Sequence, residues 1–145
     1  MKKKFLLTIM CLLSAMLVLS GCSKGVAFQT DLGGFHIIRT QLMNPYDTMQ
    51  AKEGETLLVV RMTADGEFDE SRFKSYFSAE DGSSVAVANV NGVDYNCVAV
   101  AVQGKASSNS VEHVLVFQVP ADTAAGITIT ITAPNQQPVS VKIDQ

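Results

Sequence analysis

The chain has 145 residues, with 11 Lys and Arg against 14 Asp and Glu, so its formal net charge is −3. That length suits one domain and is too short for two of ordinary size. A net acidic balance argues against nucleic acid as a partner and against a basic grip on anionic lipid.

The N-terminal segment has the layout of a secretory signal. Three lysines at positions 2–4 precede fifteen uncharged residues, from Phe5 to Leu19, and small residues follow. A basic start, an apolar run and small residues in that order are typical of a signal peptide. As a helix the run spans about 22 Å, short of the roughly 30 Å core of a bilayer. A cleaved signal is therefore favoured over a permanent transmembrane helix.

The ending Leu19-Ser20-Gly21-Cys22 resembles the lipobox of bacterial lipoproteins. The resemblance implies that residues 1–21 are removed and that Cys22 becomes a lipidated N-terminus. Three lysines leave with the signal, so 11 cationic residues become 8 against 14 acidic ones, a balance of −6. A diacylglyceryl anchor on Cys22 has two chains, the number that stable attachment needs. We expect the domain at the extracytoplasmic face of the cell membrane, with an outer-membrane address left open.

Residues 22–34 are predicted to be the lipidated cysteine and a tether, because Ser23 to Gly34 mixes small, polar and glycine residues. Twelve such residues reach at most about 40 Å. Cys11 lies in the discarded run, so Cys97 is the one cysteine left to the domain and no internal disulfide is expected.

From Phe35 onward the apolar pattern has period two, which predicts strands. Turn chemistry separates them, including the hairpin dipeptides Asp81-Gly82 and Asn91-Gly92. One helical turn is possible at Asp69 to Phe73. Turn signals every eight to twelve residues between short strands predict an all-β sandwich of seven or eight strands. The predicted strands are Phe35–Leu42, Thr56–Thr63, Lys74–Glu80, Val85–Val90, Val93–Val102, Val111–Val119, Ile127–Ala133 and Val139–Ile143.

Four stretches carry a further resemblance: Glu55 to Val60, the Asp81-Gly82 hairpin, Gly92 to Tyr95, and Val116 to Pro120. Together they resemble the immunoglobulin-like, telokin-like domain of unknown function found on many Gram-positive lipoproteins. The resemblance covers Phe35 to Ile143. It implies an immunoglobulin-like antiparallel β-sandwich over residues 35–145, and it implies no particular activity.

The strand Val111 to Val119 predicts which residues form the core. Its larger face holds the only aromatic side chain of the strand, Phe117, whereas Glu112 and Gln118 favour water. This orientation leaves His113 at the mouth of the strand rather than in a catalytic cleft. The predicted inward residues are Leu115, Phe117 and Val119, facing Leu58, Val60 and Met62 together with Ile127, Ile129 and Ile131.

Cys97 is the first candidate for chemistry. Tyr95-Asn96-Cys97 has the spacing of the tyrosine corner and core cysteine of immunoglobulin domains, but no tryptophan is present. A reactive thiol needs positive charge nearby, and Asn96 and Val98 supply none. We predict a buried cysteine that acts as a small hydrophobe.

The histidines and methionines raise a metal hypothesis. A blue-copper site needs a cysteine closely followed by a histidine and then a methionine, and that order is missing. A copper-carrier-like site could instead join His36 or His113 to Met43, Met49 and Met62, although no His-x-Met or Met-x-x-Met spacing occurs. We expect both histidines at the strand surface or partly buried.

The acidic stretch Asp65 to Glu70 resembles the start of a calcium loop, since Asp65, Glu67 and Asp69 stand at alternate positions. The glycine and the distant bidentate glutamate of such a loop are missing. A solvated turn is the favoured interpretation.

The motifs of common hydrolases and phosphate-binding enzymes, G-x-S-x-G, H-E-x-x-H and a glycine-rich phosphate loop, do not occur. We therefore predict a protein that is not an enzyme and has no cofactor. The first hypothesis is a non-catalytic binding or interaction domain, whose partner is an envelope protein, a cell-wall glycan or a small solute. The alternative is an extracytoplasmic metal-handling protein with His and Met ligands.

Overall fold

The computed structural model describes residues 25–66, 68–77, 85–104 and 111–145. The predicted signal peptide, Cys22, the Asp81-Gly82 hairpin and Glu67 lie outside these residues. The elements are β1 (Val26–Thr30), β2 (Gly33–Met43), β3 (Glu55–Ala64), α1 (Glu70–Phe77), β4 (Val87–Val90), β5 (Val93–Gly104), β6 (Val111–Pro120), β7 (Thr128–Thr132) and β8 (Val139–Lys142). Within the described ranges, no helix has the length and apolar character needed to cross a membrane.

The predicted all-β class is confirmed. Eight antiparallel strands follow one another by hydrogen bonding in the order β1-β2-β3-β6-β5-β4-β7-β8. The long strand β5 belongs to two layers, because its first half pairs with β4 and its second half pairs with β6. A register shift between Cys97 and Ala99 marks the change of partner. The sheet thus folds over on itself around its larger buried cluster.

The two ends of the strand order meet, so the sheet is nearly closed. The β1–β2 turn is tied to the β7–β8 turn by Asp31, whose carboxylate accepts a hydrogen bond from Gln136 Nε2 at 2.9 Å. At the other end the backbone N–H of Asp144 donates to the carbonyl of Thr40 at 2.7 Å. These ties protect the edges that β1 and β8 would otherwise expose.

The predicted core is confirmed. The inner faces of β3 and β6 pack against β4, β7 and β8, and Phe117 at the centre has no exposed surface. Ile127 is partly buried against the same cluster. The other predicted core residues are fully or almost fully buried: Leu58, Val60, Met62, Leu115, Val119, Ile129 and Ile131.

The outer faces of β3 and β6 are also covered over half their length, which the alternating pattern did not predict. Leu57, Val59, Val114 and Val116 form a second buried cluster with Tyr46. Tyr46 stands in the segment after β2, which folds back over the sheet and bonds Lys52 N–H to Gln118 Oε1 at 3.0 Å. Burial on both sides explains why β3 and β6 carry apolar residues on both faces.

Two predicted segments are wrong. The tether was expected to reach Gly34, but Val26 to Thr30 form β1 and pair with Gly33 to Ile37 of β2. The strand expected from Lys74 instead lies in α1 as far as Phe77. Asp69 Oδ1 accepts the Ser71 N–H at 3.0 Å and so caps the helix, while the buried Phe73 and Phe77 lie one turn apart.

Gly25 leads into β1 and lies against the strand that follows. It has a φ of +88°, which favours glycine, and a side chain here would clash with the carbonyl of Ile37. A Cβ atom at position 25 would also lie 3.3 Å from Cγ2 of Ile38. The start of the described domain therefore lies beside the middle of β2.

Candidate binding site

His36 lies on the outer face of β2, between the inward-facing Phe35 and Ile37. Its Nδ1 is 2.8 Å from Oδ1 of Asp65, and its side chain is 28% exposed. The prediction of a partly buried strand histidine is confirmed. Asp65 satisfies one ring nitrogen, so this atom already has a partner.

The structure separates His36 from the predicted methionine ligands, but it places His113 of β6 directly across from Met62 of β3. Met62 has no exposed surface and points into the inner core. Met43 and Met49 pack against the outer cluster beside Tyr46. His36 therefore shares no space with Met62, which lies on the opposite face of the sheet.

The described acidic residues of the predicted turn are separately engaged. Asp65 pairs with His36, Asp69 caps α1, and Glu70 pairs with Lys74 one turn along the helix. The hydrogen bond from Ser71 lowers the pKa of Asp69. In the described part of the chain, no group of three or more His, Cys, Asp or Glu residues could hold a metal ion.

Cys97 lies in the inner core, as predicted. It is 9% exposed, and its Sγ is 3.3 Å from the carbonyl of Ala99 at the point where β5 changes partner. Burial raises the pKa of the Cys97 thiol to about 11. The thiol is therefore a packing group at neutral pH.

The prediction for His113 is wrong, because the residue is 4% exposed and does not lie at an open strand end. Three aromatic rings enclose it: Phe73 at 4.7 Å, Phe35 at 5.4 Å and Phe68 at 6.1 Å between ring centroids. Its Nδ1 is buried and has no hydrogen-bond partner among the residues that the structure describes. Burial also lowers the pKa of His113. The helix α1 supplies Phe73 and so covers this end of β6.

The residues that sequence reasoning missed are two arginines on neighbouring strands. Arg39 of β2 and Arg61 of β3 are direct cross-strand partners. Strict alternation from Phe35 and Ile37 would turn Arg39 into the core. A register shift between Ile37 and Arg39 instead places an extra residue, Ile38, in the strand and turns Arg39 outward.

Arg61 is held in place from three sides. Its Nη1 donates to Glu112 Oε2 at 3.2 Å and to Gln103 Oε1 at 3.4 Å. Its guanidinium carbon is 5.7 Å from the ring centroid of Tyr46, a cation–π distance. Gln103 Nε2 donates in turn to the Tyr46 hydroxyl at 2.7 Å. The expectation that Glu112 favours water is wrong, because it is 6% exposed and paired with Arg61.

A cavity of about 480 Å³ opens at this point on the outer face and is lined by Ile38, Arg39, Arg61 and Glu112. It adjoins the half of the face that the Tyr46 segment covers. Volumes between about 300 and 1,000 Å³ are usual for small-molecule sites. The two guanidinium groups and one carboxylate give the described lining a surplus of one positive charge in a domain that is acidic overall.

A second cavity, of about 460 Å³, lies on the outer face of β4 and β7. Two of its polar lining residues, Asn89 and Asp94, are engaged with each other. Asn89 Nδ2 donates to Asp94 Oδ1 at 2.7 Å, and Asn89 Oδ1 accepts the Gly92 N–H at 3.2 Å. These bonds shape the Asn91-Gly92 turn, so the first cavity is the stronger candidate.

Comparison with known proteins finds no matching family model, no matching curated protein and no matching solved structure.

Proposed function

We propose that this chain is a membrane-anchored lipoprotein of the extracytoplasmic face, and that its β domain is a non-catalytic binding module. The support for the anchor is the order of lysines, apolar run and small residues that ends at Cys22. The resemblance to the telokin-like domains of Gram-positive lipoproteins supports the same address and the immunoglobulin-like class.

One observation carries the binding role: the cavity between Arg39 and Arg61. Both arginines stand on paired strands, and Arg61 is fixed by Glu112, Gln103 and Tyr46. Side chains on strands and locked by neighbours hold a ligand more accurately than side chains on loops. Arg and Glu are also groups that orient a ligand by charge, and the described lining holds no nucleophile beside a base.

The anchor is tested by changing the cysteines one at a time in the expressing cell. Cys22→Ala should move the protein from the detergent phase to the aqueous phase in a Triton X-114 partition, or leave an uncleaved precursor. Cys11→Ala is the matched control and should partition like the parent, because this residue leaves with the signal. A Cys22→Ala protein that is cleaved and still fully in the detergent phase would refute the anchor.

The binding role is tested by filling the cavity. Ile38 is 42% exposed at its rim, so Ile38→Trp should reduce the free volume without disturbing the core. The full-length protein in detergent micelles is screened by calorimetry against small solutes, and any hit is repeated with Ile38→Trp and with Val93→Trp. Val93 is 52% exposed and does not line the cavity. A hit that survives Ile38→Trp unchanged, or one that the protein chemically converts, would contradict the proposal.

A further inference from the structure

We propose that the cavity between Arg39 and Arg61 binds the carboxylate group of a small ligand. This inference rests on the proposed binding function and names the chemical class of its ligand. It follows from three features of the described residues: the pairing of like charges, the donors that remain without a partner, and the charge balance of the lining.

The first feature is electrostatic. Like charges directly opposite each other on neighbouring strands destabilise a sheet, and Arg39 and Arg61 are such a pair. Glu112 offsets one of the two charges through its contact with Arg61. The bulge at Ile38 turns the second charge toward its partner, although strict alternation would have separated them. A bound anion would offset the charge that remains.

The second feature is the supply of hydrogen-bond donors. Both hydrogen bonds that Arg61 makes to described residues leave from Nη1. Its Nη2 and Nε donors, and all the donors of Arg39, have no hydrogen-bond partner in the described ranges. A guanidinium offers its donors as a planar fork that fits the two oxygens of a carboxylate. Two such forks line this cavity.

The third feature separates a carboxylate from a phosphate. Among the described lining residues the surplus is one positive charge, which a carboxylate neutralises. A phosphate dianion would leave an excess negative charge beside Glu112, which is 6% exposed. A carboxylate is also a terminal group that can enter a cavity end-on, whereas a phosphodiester carries substituents on both sides. Ile38 offers an apolar wall to the carbon atoms next to the carboxylate.

The experiment uses the arginine side chains as reporters. The chain has three arginines, and the third, Arg72, lies on α1 away from the cavity lining. Full-length protein labelled with 15N-arginine in detergent micelles therefore gives two reporter Nε–H signals and one internal reference. The probes are N-acetyl-leucine and its neutral match N-acetyl-leucinamide, followed by dimethyl phosphate and inorganic phosphate.

N-acetyl-leucine should shift the Arg39 and Arg61 signals saturably and leave Arg72 in place, while the amide shifts none of them. Arg39→Gln should raise the dissociation constant at least about tenfold, because a hydrogen bond to a charged group is lost. Arg39→Lys keeps the charge without the planar fork of donors, so its dissociation constant should lie between those of the parent and Arg39→Gln. Arg72→Gln makes the same change of charge elsewhere and should leave the constant within about twofold, since exposed charges at a distance are screened.

Each other outcome overturns the proposal in a distinct way. Equal binding of the amide would remove the carboxylate and leave a cavity that binds by other means, so the proposed function would survive. Tighter binding of either phosphate would assign the site to a different anion. No saturable shift with any probe, or no effect of Arg39→Gln, would remove this ligand class, whereas failure of the anchor is read separately from the Cys22→Ala partition.

Discussion

Arg39 and Arg61 face each other across β2 and β3 with very different surroundings. Arg39 is exposed and makes no ion pair or hydrogen bond with the described residues, whereas the Arg61 side chain is 20% exposed and contacts Glu112, Gln103 and Tyr46. Within this cross-strand pair, neighbouring side chains fix Arg61, whereas none of the described residues fixes Arg39. The same substitution at the two positions should therefore change the free energy of unfolding in opposite directions.

We expect Arg39→Gln to raise the free energy of unfolding by a few tenths of a kcal/mol, because a like-charge cross-strand pair is relieved. Arg61→Gln should lower it by about 1–3 kcal/mol, since the largely buried carboxylate of Glu112 loses this cation. Urea unfolding at pH 7 measures both. The double variant Arg61→Gln/Glu112→Gln should recover part of the loss. Equal destabilisation by Arg39→Gln and Arg61→Gln would mean that Arg39 has a structural role.

Neighbouring residues of β6 test the inner and outer faces. Phe117 is completely buried, so Phe117→Ala should cost about 3–5 kcal/mol and nearly unfold a domain of ordinary stability. Gln118→Ala removes only the acceptor of the exposed Lys52 N–H bond and should cost less than about 1 kcal/mol. Urea melts of the two variants compare them directly. Two equally mild effects would mean that β6 is turned the other way.

His113 should make stability depend on pH. Burial lowers the pKa of its imidazole in the folded state, so the unfolded chain takes up the proton first as the pH falls. The contribution is fully present above the ordinary histidine pKa of about 6.5 and is lost progressively below it. We expect the free energy of unfolding to decrease between pH 7.5 and pH 5.5 in urea titrations.

Two variants assign that slope. His113→Phe keeps an aromatic ring among Phe35, Phe68 and Phe73 and should flatten the pH dependence, since nothing buried there titrates. His36→Gln is the control and should retain the slope from His113. If the pH dependence disappears in His36→Gln and persists in His113→Phe, the assignment of this dependence to His113 is wrong.

Cys97 should be almost inert toward thiol reagents. A pKa raised to about 11 reduces the thiolate fraction by roughly 100-fold relative to an ordinary cysteine, and only the thiolate reacts. In a Cys11→Ala/Cys22→Ala variant it is the sole thiol. Its reaction with a chromogenic disulfide at pH 8 should be at least about 100-fold slower in the folded protein than in urea. A rapid reaction under folding conditions would show that the thiol is accessible.

The inner core was predictable from sequence because alternation and side-chain size agree there. Phe117 and Ile131 each mark the larger face of a period-two strand, and both are buried. The Asn91-Gly92 hairpin followed from chemistry that needs positive φ, which both residues adopt. Local rules suffice where one residue type settles one conformation.

The candidate site was not predictable, because it depends on a bulge that no residue type announces. No residue type near Ile38 distinguishes a β-bulge from a strand with continuous alternation. A shift of one residue nevertheless moves a side chain to the other face of the sheet. The helix α1 was predicted only as one turn at Asp69 to Phe73, and its second turn was missed for a different reason. Its signal, the Asp69 cap with Phe73 and Phe77 one turn apart, is only nine residues long and competes with a strand pattern.

The early start of β1 has a consequence for any molecule that approaches the cavity. If Cys22 carries the lipid, at most about 14 Å of chain separates it from Val26, far less than the reach of the tether expected from sequence. Gly25 then lies against Ile38, one wall of the cavity. The opening would then lie on the part of the domain nearest to the anchor. The membrane would then hinder the approach of large polymers to the cavity, whereas a small solute could diffuse to it through the water between the domain and the bilayer.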